Sequence, residues 1–452
     1  MQAPPAATAA SAPRPLYLQP TMLVLLALGF AGGVPLEMAM NIMPTWASAA
    51  KWDVVMIGYL ALARIPYTFK AVWAPITDHC SIPGLRWLGR RRGWLLLTQV
   101  VCLGILLVLA FRMDDRGGMI DPAVAIVLLG VLVLAGATQD IVGDAYRAEV
   151  LSPREFGAGA SMWVTGARLA SLLAGAGVLI LAGRLAAEDE TRPWAWAIAV
   201  SLLGGSTILG MIAAILGREP ERPAGMAHGL VGAIVQPFQL FLEQWGWRLA
   251  IVFVFIIVYR LPDVLGGSMS SPLLVKGLGY STESIGWIKQ AFGSAMSIAG
   301  TILGGWLIAR QGLRRSLWIA GLLAAASNVG FYWLAVRFGA TDAVDATSSA
   351  PIPPLVVVIC IESLCGGLAT CAFVAFMMSL CDIRATATQY ALLTSIMAIG
   401  NTLTGPVSGQ MVKSLDYQPF YFWSIVAAVP GLLLIPFLPR GHGFAPPKDA
   451  AA

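Results

Sequence analysis

The sequence predicts an all-α integral membrane protein with twelve transmembrane helices in two six-helix halves. Three observations support this fold class. The chain is 58% hydrophobic and only 12% charged, long apolar runs recur along it, and basic residues gather in the short segments between those runs. Soluble domains carry about 25% charged residues, so this composition excludes a soluble enzyme. Membrane topology explains the formal net charge of +5, and no nucleic-acid partner is predicted.

Twelve segments are long enough to cross a bilayer, which requires about 20 mostly apolar residues. The first run follows an Ala/Pro-rich segment and is long enough to span, so we predict a membrane helix there and not a cleaved signal peptide. Placing both termini in the cytoplasm puts about twice as many basic residues inside as outside, which favours that orientation. The predicted spans are 21–47, 55–76, 94–112, 122–147, 158–183, 194–216, 247–270, 284–309, 317–337, 353–379, 387–411 and 420–438.

The even spacing of the spans is interrupted once, at residues 217–246. This segment begins with charged residues and continues as LVGAIVQPFQLFLEQWGW, which predicts a cytoplasmic linker with an amphipathic helix on the membrane surface. Two six-span halves joined by such a linker are the plan of the major facilitator fold, in which substrate binds between the halves. The predicted domains are a disordered cytoplasmic N-terminus (1–20), an N-terminal bundle (21–216), the linker, a C-terminal bundle (247–438) and a cytoplasmic tail (439–452).

The segment from Arg64 to Trp94 combines an apolar helix with several cations. Lys70 falls within the second predicted span, where a charge is costly and usually faces a cavity. Pro75 is expected to end that helix. Asp78 and three arginines are then predicted to form a structural loop on the cytoplasmic side, the arginines being Arg90, Arg91 and Arg92.

Carboxylates within the spans are candidate proton-coupling sites. Asp140 and Asp144 are four residues apart and share one face of the fourth predicted helix. In low dielectric two neighbouring carboxylates repel, so one of them should hold a proton more tightly. The alternative is that Asp144 lies at the cytoplasmic helix end and, with Arg147 and Glu149, pairs with the loop. Glu362 in the tenth span is the third candidate.

Other polar side chains in the spans are candidate substrate ligands. Arg168 is flanked by small residues that allow another helix to approach, and it either pairs with Asp140 or Asp144 or holds substrate. For each candidate, an interhelical hydrogen bond is the alternative to substrate contact. The full set is Lys70, Arg168, Arg260, Asp263, Lys289, Gln290 and Gln389.

The sequence predicts no cofactor and no metal site. Cys360, Cys365 and Cys371 lack the paired close spacing of a zinc site, and the three histidines lie outside the predicted spans. Nucleophile-elbow, P-loop, dinucleotide and HExxH patterns do not occur in the sequence. We therefore predict that the protein is not an enzyme, that its partners are the lipid bilayer, protons and a small solute, and that it needs no obligate protein partner.

Seven segments of the chain match one family in the same order. They are PYTFKAVWAP with GRRRGWLLLTQ, TQDIVGDAYRAEVL with REFGAGA, YRLPDVLGGSMSSPLLVKG, GWIKQAFG, ASNVGFYWLA, ESLCGGLATCAFVAFMMSLC and ATQYALLTSIMAIG. Together they resemble the AmpG muropeptide permeases, in the peptide/acetyl-coenzyme A transporter branch of the major facilitators. Arg260 stands where the family has a lysine, and Glu37 is outside the pattern. The matched polar residues are Lys70, Asp78, Gln139, Asp140, Asp144, Arg168, Asp263, Lys289, Glu362 and Gln389.

The resemblance implies proton-driven import of N-acetylglucosaminyl-1,6-anhydro-N-acetylmuramyl peptides across the bacterial inner membrane. It also implies roles in peptidoglycan recycling, β-lactamase induction and β-lactam resistance. The expected mechanism is rocker-switch alternating access, with a proton on Asp140 or shared with Asp144 and with Lys70 and Lys289 holding an anionic sugar-peptide. Three alternatives remain: a same-branch carrier of a siderophore or acyl-coenzyme A, a sensor without transport, and a membrane-embedded transferase, which would need a fixed nucleophile, base or metal site.

Overall fold

The computed structural model describes residues 16–50, 52, 60, 63, 65–113, 120–185, 193–222, 229–278, 280, 285, 287–338 and 351–439. All regular secondary structure in this part of the chain is helical. Most of the predicted N-terminal segment 1–20 and of the tail 439–452, together with Arg64, lies outside the described residues.

The helices follow the predicted runs closely. In chain order they are α1 (Pro20–Ala47), α2 (Ile65–Phe69), α3 (Ala74–His79), α4 (Arg90–Met113), α5 (Pro122–Val150), α6 (Phe156–Leu185), α7 (Trp194–Leu216), α8 (Gly229–Trp245), α9 (Arg248–Pro272), α10 (Lys289–Gln311), α11 (Leu313–Phe338), α12 (Ile352–Leu380), α13 (Thr386–Leu415) and α14 (Tyr417–Phe437).

Ten of the described helices are long and apolar enough to cross a membrane. They match ten of the twelve predicted spans. The second predicted span is described only in part, as α2 and a 3₁₀ turn at Lys70–Val72. The eleventh corresponds to α13, which is 30 residues long but rich in Ser and Thr. The count of twelve and the cytoplasmic location of both termini therefore stay predictions.

The outward faces of the helices carry large apolar side chains. Phe111 is 77% exposed, Leu216 is 74% exposed and Val127 is 64% exposed. A soluble protein rarely exposes so extensive an apolar surface, whereas lipid chains cover such a surface in a membrane.

Glycines allow helices to approach closely in both halves. A Cβ on Gly29 of α1 would lie 2.3 Å from the carbonyl oxygen of Trp163 in α6. A Cβ on Gly300 of α10 would lie 2.0 Å from the carbonyl oxygen of Leu364 in α12. Only glycine fits at these contacts, as is common between membrane helices.

Pro75 does not end a helix, contrary to the sequence-based expectation. The chain breaks earlier, at the 3₁₀ turn that begins with Lys70, and Pro75 lies in the first turn of α3. Proline is favourable there because its missing N–H has no intrahelical acceptor in a first turn. The break places Lys70 at an irregular point of the backbone, facing the interior.

The predicted linker contains the helix α8, which contacts the second half. Phe241 is buried, and the indole nitrogen of Trp245 donates to the carbonyl oxygen of Leu380 at 3.2 Å. The amide of Gln389 donates to the carbonyl oxygen of Pro237 at 3.0 Å. The apolar face of α8 is thus partly covered by the end of the C-terminal bundle.

Candidate functional site

A central cavity lies between the two halves. Its first part, the N segment, encloses about 480 Å³ between α1, α2, α5, α6, α12 and α13. Its second part, the C segment, encloses about 390 Å³ between α6, α9, α10 and α12. Both parts are lined by Arg168, Ser171, Arg260 and Thr370, so they form one continuous site.

Four charged side chains form a cluster in the N segment, which we call the cavity cluster: Lys70, Asp140, Asp144 and Arg147. Lys70 is only 4% exposed. Its ammonium makes an ion pair with Asp140 and lies 3.7 Å from a carboxylate oxygen of Asp144. Asp144 accepts a hydrogen bond from Arg147 at 2.5 Å. Two carboxylates and two cations therefore neutralise one another at the wall of the cavity.

The α5 helix explains why three of these residues meet. Asp140, Asp144 and Arg147 are spaced at i, i+4 and i+7, so their side chains leave one face of the helix. The side chain of Asp140 is 28% exposed, whereas that of Asp144 is 5% exposed. Asp140 is thus the carboxylate of the pair that the solvent in the cavity reaches.

Arg147 joins the cavity cluster to the other half of the protein. Its Nη2 donates to the hydroxyl of Tyr390 in α13 at 2.6 Å. Its guanidinium lies 5.0 Å from the centre of the Trp163 ring and 5.2 Å from that of Tyr390, within cation–π range. Nε and Nη1 of Arg147 are buried without a hydrogen-bond partner among the described residues. An unsatisfied buried donor is costly, so this cluster is incompletely stabilised in the observed arrangement.

One ion pair in the C segment is built around an interruption of α9. The helix is interrupted at Arg260, two residues before Pro262, which cannot donate a backbone hydrogen bond. Arg260 lies 3.0 Å from Asp263 and donates to Thr370 of α12 at 3.2 Å. Both charges are therefore partnered.

Lys289 and Glu362, also in the C segment, make hydrogen bonds with hydroxyl groups. Lys289 donates to the hydroxyls of Ser270 and Ser271, each at 2.9 Å. Glu362 accepts one hydrogen bond from Ser363 at 3.2 Å. Within the described part of the chain, no opposite charge lies within 4 Å of Lys289, Glu362 or Arg168, and Arg168 is exposed to the cavity.

The structure brings together most of the predicted site residues. Arg168 lines the junction of the two segments but makes no ion pair with Asp140 or Asp144, which pair with Lys70 and Arg147. Gln290 donates to the backbone carbonyl of Ser171 at 3.1 Å, across the two halves. The predicted residues that line the cavity are Lys70, Asp140, Asp144, Arg168, Arg260, Asp263, Lys289, Gln290 and Glu362.

Gln389 lies elsewhere. Its side chain donates a hydrogen bond to the carbonyl oxygen of Pro237 and accepts one from the backbone N–H of Asp382. Both contacts lie at the end of the molecule that the sequence predicts to be cytoplasmic.

Sequence reasoning missed Tyr390 and considered Arg147 only in the alternative, as a helix-end residue that pairs with the loop. The sequence spacing could have identified Arg147, because this residue lies at i+7 from Asp140 and so on the same helix face as the two aspartates. No local pattern marked Tyr390, which reaches the cluster only through the packing of α13 against α5. Glu37, outside the family pattern, also lines the N segment and accepts a hydrogen bond from Asn41 at 2.6 Å.

A second ionic cluster lies at the predicted cytoplasmic end, and we call it the end cluster: Asp78, Arg90, Arg91 and Glu149. Arg91 is fully buried and donates to Asp78 at 2.7 Å. Arg91 also pairs with Glu149, and Arg90 lies 3.2 Å from the same carboxylate.

The end cluster also fastens the two halves together. Asp78 accepts hydrogen bonds from the backbone of Ala387 and Thr388, at 3.2 and 2.9 Å, and from the Thr388 hydroxyl at 2.7 Å. These groups begin α13, where unpaired N–H groups and the helix dipole favour an anion. One carboxylate thus links the first half to the first turn of a helix in the second.

The prediction that Asp78 and the three arginines lie in a loop is wrong in its secondary structure. Asp78 lies in α3, and Arg90, Arg91 and Arg92 form the first turn of α4. Glu219 accepts from the backbone N–H groups of Arg91 and Arg92 at 2.9 and 3.0 Å. An acidic cap explains why an arginine-rich segment begins a helix here.

The amino-acid sequence of this chain is similar to those of known transporters. The family model "Acetyl-coenzyme A transporter 1" matches residues 21–189. An anhydromuropeptide permease of Escherichia coli K12 is 34% identical over 93% of this chain and 80% of its own length. A putative transporter AmpG 4 of Rickettsia conorii is 25% identical over 91% of this chain and 94% of its own.

Solved structures agree on the fold. The major facilitator superfamily transporter FucP, in the outward conformation, superposes with a TM-score of 0.69 at 12% identity, covering 94% of this chain and all of that one. The resemblance in sequence and the predicted major facilitator fold are thereby confirmed. The chain belongs to the AmpG anhydromuropeptide permease family, and it is a multi-pass inner-membrane secondary transporter, not an enzyme.

Proposed function

We propose that this protein imports anhydro-muropeptides, as its E. coli relative is named for doing, and that proton entry drives the import. The observation that carries the proposal is the buried Lys70 held between Asp140 and Asp144 at the wall of a cavity between two halves. Of the two carboxylates around this ammonium, Asp140 is the one exposed to the cavity, which makes it a place where an exchangeable proton can bind.

The proton would enter at Asp140, the more exposed carboxylate. With both aspartates ionised, the cavity cluster is neutral and Lys70 is fully engaged. Adding one proton to Asp140 weakens its ion pair with Lys70 and leaves the cluster with one net positive charge. An anionic substrate then binds more tightly, and by linkage bound substrate favours the proton equally.

Coupling to the conformational change would run through Arg147. When Lys70 is released from Asp140, it can pair more closely with Asp144, the carboxylate that holds Arg147. Arg147 in turn holds Tyr390 of the other half. The equilibrium between two conformations of the protein, which differ in how the halves are arranged, would therefore depend on the protonation of Asp140. This requires that the proton bind one conformation more tightly than the other. The moving units would be the predicted bundles 21–216 and 247–438.

Arg168 is the cation best suited to receive a substrate carboxylate. It lies at the junction of the segments, is exposed to the cavity and has no carboxylate within 4 Å among the described residues. A charge-assisted hydrogen bond of this kind contributes about 1.5–3 kcal/mol. Arg168→Gln should therefore raise the KM for import about tenfold or more, measured as initial uptake rates. Arg310→Gln is the matched control, because Arg310 stacks on Trp306 outside the cavity and its loss should leave KM unchanged.

The transport proposal is tested with purified protein in liposomes. Labelled N-acetylglucosaminyl-1,6-anhydro-N-acetylmuramyl tripeptide is supplied outside, with or without an acidic exterior. We expect accumulation only with the gradient, and its loss on adding a protonophore. Equal uptake without the gradient would remove the proton from the mechanism. Import of a ferric siderophore or an acyl-coenzyme A, with none of the muropeptide, would overturn the substrate assignment.

A further inference from the structure

The two segments of the cavity differ in chemistry. The N segment is lined by the aromatic rings of Tyr67, Trp163, Phe373 and Tyr390, with aliphatic side chains between them. The C segment shares Ser171 and Thr370 with the N segment. Beyond these it is lined mainly by glycines and by the hydroxyls of Ser270, Ser294, Ser297 and Ser363, with Phe331 and Ile359 as its large apolar side chains. An aromatic wall suits the apolar face of a sugar ring, whereas a hydroxyl-lined wall suits a chain of amides.

The two segments also differ in how their charged side chains are paired. In the N segment the four charges of the cavity cluster neutralise one another, and a further carboxylate, Glu37, accepts a hydrogen bond from Asn41. In the C segment, Lys289 and Glu362 each lack an opposite charge within 4 Å in the described part of the chain. They lie on different walls of one space, Lys289 at the start of α10 and Glu362 on α12.

Both groups have hydrogen-bonding capacity to spare. A lysine ammonium has three donors, and Ser270 and Ser271 accept two from Lys289. An ionised carboxylate has about four acceptor sites, and Ser363 occupies one of those on Glu362. Within the described residues, the start of α10 therefore offers a free N–H donor beside hydroxyls, and α12 offers free acceptors to the same space.

We propose that the C segment is the subsite for the peptide part of the cargo and that the N segment holds its sugar part. Lys289 receives the terminal carboxylate of the peptide, and Glu362 receives an ammonium group of the same peptide. The proposal rests on the proposed function and adds the orientation of the cargo in the cavity. It also gives Glu362 a role in zwitterion recognition in place of proton coupling.

The sizes of the segments agree with this division. Cavities that bind small ligands enclose about 300–1,000 Å³. The N segment, at about 480 Å³, and the C segment, at about 390 Å³, each reach that range alone. Two ligand parts of different polarity can therefore lie side by side and meet at Arg168.

The test compares two ligands on the same variants. One ligand is the anhydro-disaccharide with a tripeptide that carries a free side-chain amine, and the other is the same disaccharide without peptide. Binding is measured by calorimetry on the full chain in lipid nanodiscs, and initial uptake is measured in liposomes. Lys289→Gln and Glu362→Gln should each weaken binding of the peptide-bearing ligand about tenfold, with less than a twofold effect on the peptide-free ligand.

Matched variants separate recognition from folding. Trp163→Leu should weaken both ligands by a similar factor, because both carry the sugars. Lys289→Arg keeps the charge and should recover most of the affinity for the peptide-bearing ligand. If Lys289→Gln is too unstable to purify, Glu362→Gln gives the same discrimination from a different helix.

Two results would overturn the subsite. One is an equal loss of affinity for both ligands in Lys289→Gln and Glu362→Gln, with unchanged melting temperatures. The other is no loss for either ligand. A wild-type protein that binds and imports neither ligand would instead overturn the proposed function, and the subsite with it.

Discussion

The protein buries two ionic clusters, and they differ in how completely their charges are satisfied. The end cluster is closed: Asp78 is held by Arg91 and by three donors of α13. The cavity cluster is open: Asp140 is partly exposed to the cavity, and Arg147 keeps two nitrogens without partners in the described part of the chain. Buried charge alone therefore does not distinguish the candidate transport site from the end cluster. Incomplete satisfaction beside a cavity is the feature that separates the two clusters.

The largest expected effect comes from breaking the closed cluster. Asp78→Ala leaves Arg91 buried with one carboxylate fewer and leaves the first N–H groups of α13 without their acceptor. Loss of one partner from a buried ion pair costs about 3–5 kcal/mol. We expect a clear fall in the melting temperature of the detergent-solubilised protein.

Asp121→Ala is the control for this change. Asp121 caps α5 by accepting from the N–H of Ala123 at 2.7 Å, and loss of such a cap costs about 1 kcal/mol. If Asp78→Ala lowers the melting temperature no more than Asp121→Ala does, the end cluster does not fasten the halves.

A smaller effect is expected when the hydrogen bond between Arg147 of the cavity cluster and Tyr390 of the second half is removed. Tyr390→Phe removes the hydroxyl that accepts from Arg147, at a cost of about 1–3 kcal/mol. We expect the ratio of gradient-driven to gradient-free uptake to fall several-fold. Tyr421→Phe is the matched control, since the Tyr421 hydroxyl donates to the carbonyl of Gly266 at 3.2 Å within one half. Equal uptake ratios in the two variants would exclude Tyr390 from coupling.

The smallest effect is expected at Gln389. Its amide bonds two backbone groups at the predicted cytoplasmic end, and a net hydrogen bond contributes about 0.5–1.5 kcal/mol. Gln389→Ala should lower the melting temperature slightly and leave KM unchanged. A tenfold rise in KM without a change in melting temperature would instead support the substrate-binding role that the sequence analysis predicts.

The sequence predicted the fold well because its signals are local. Apolar runs and basic loops located the helices to within a few residues, and helical spacing placed Asp140 and Asp144 on one face. The partners of those residues were harder to predict. Lys70 meets Asp140 across 70 positions, and Arg147 meets Tyr390 across 243 positions, so no spacing rule connects them.

Local rules also failed where capping decided the structure. The arginines at 90–92 were expected in a loop because basic residues mark cytoplasmic loops. They begin a helix because Glu219, distant in sequence, accepts their backbone N–H groups.

Asp140 is the proposed site of the coupled proton, and Asp140→Asn tests this role directly. The neutral side chain imitates the protonated carboxylate and frees Lys70 permanently. Two uptake modes are compared in liposomes: accumulation driven by a pH gradient, and exchange of labelled for unlabelled muropeptide without a gradient. We predict that Asp140→Asn loses accumulation and keeps exchange. Accumulation that still follows the pH gradient in this variant would contradict the account.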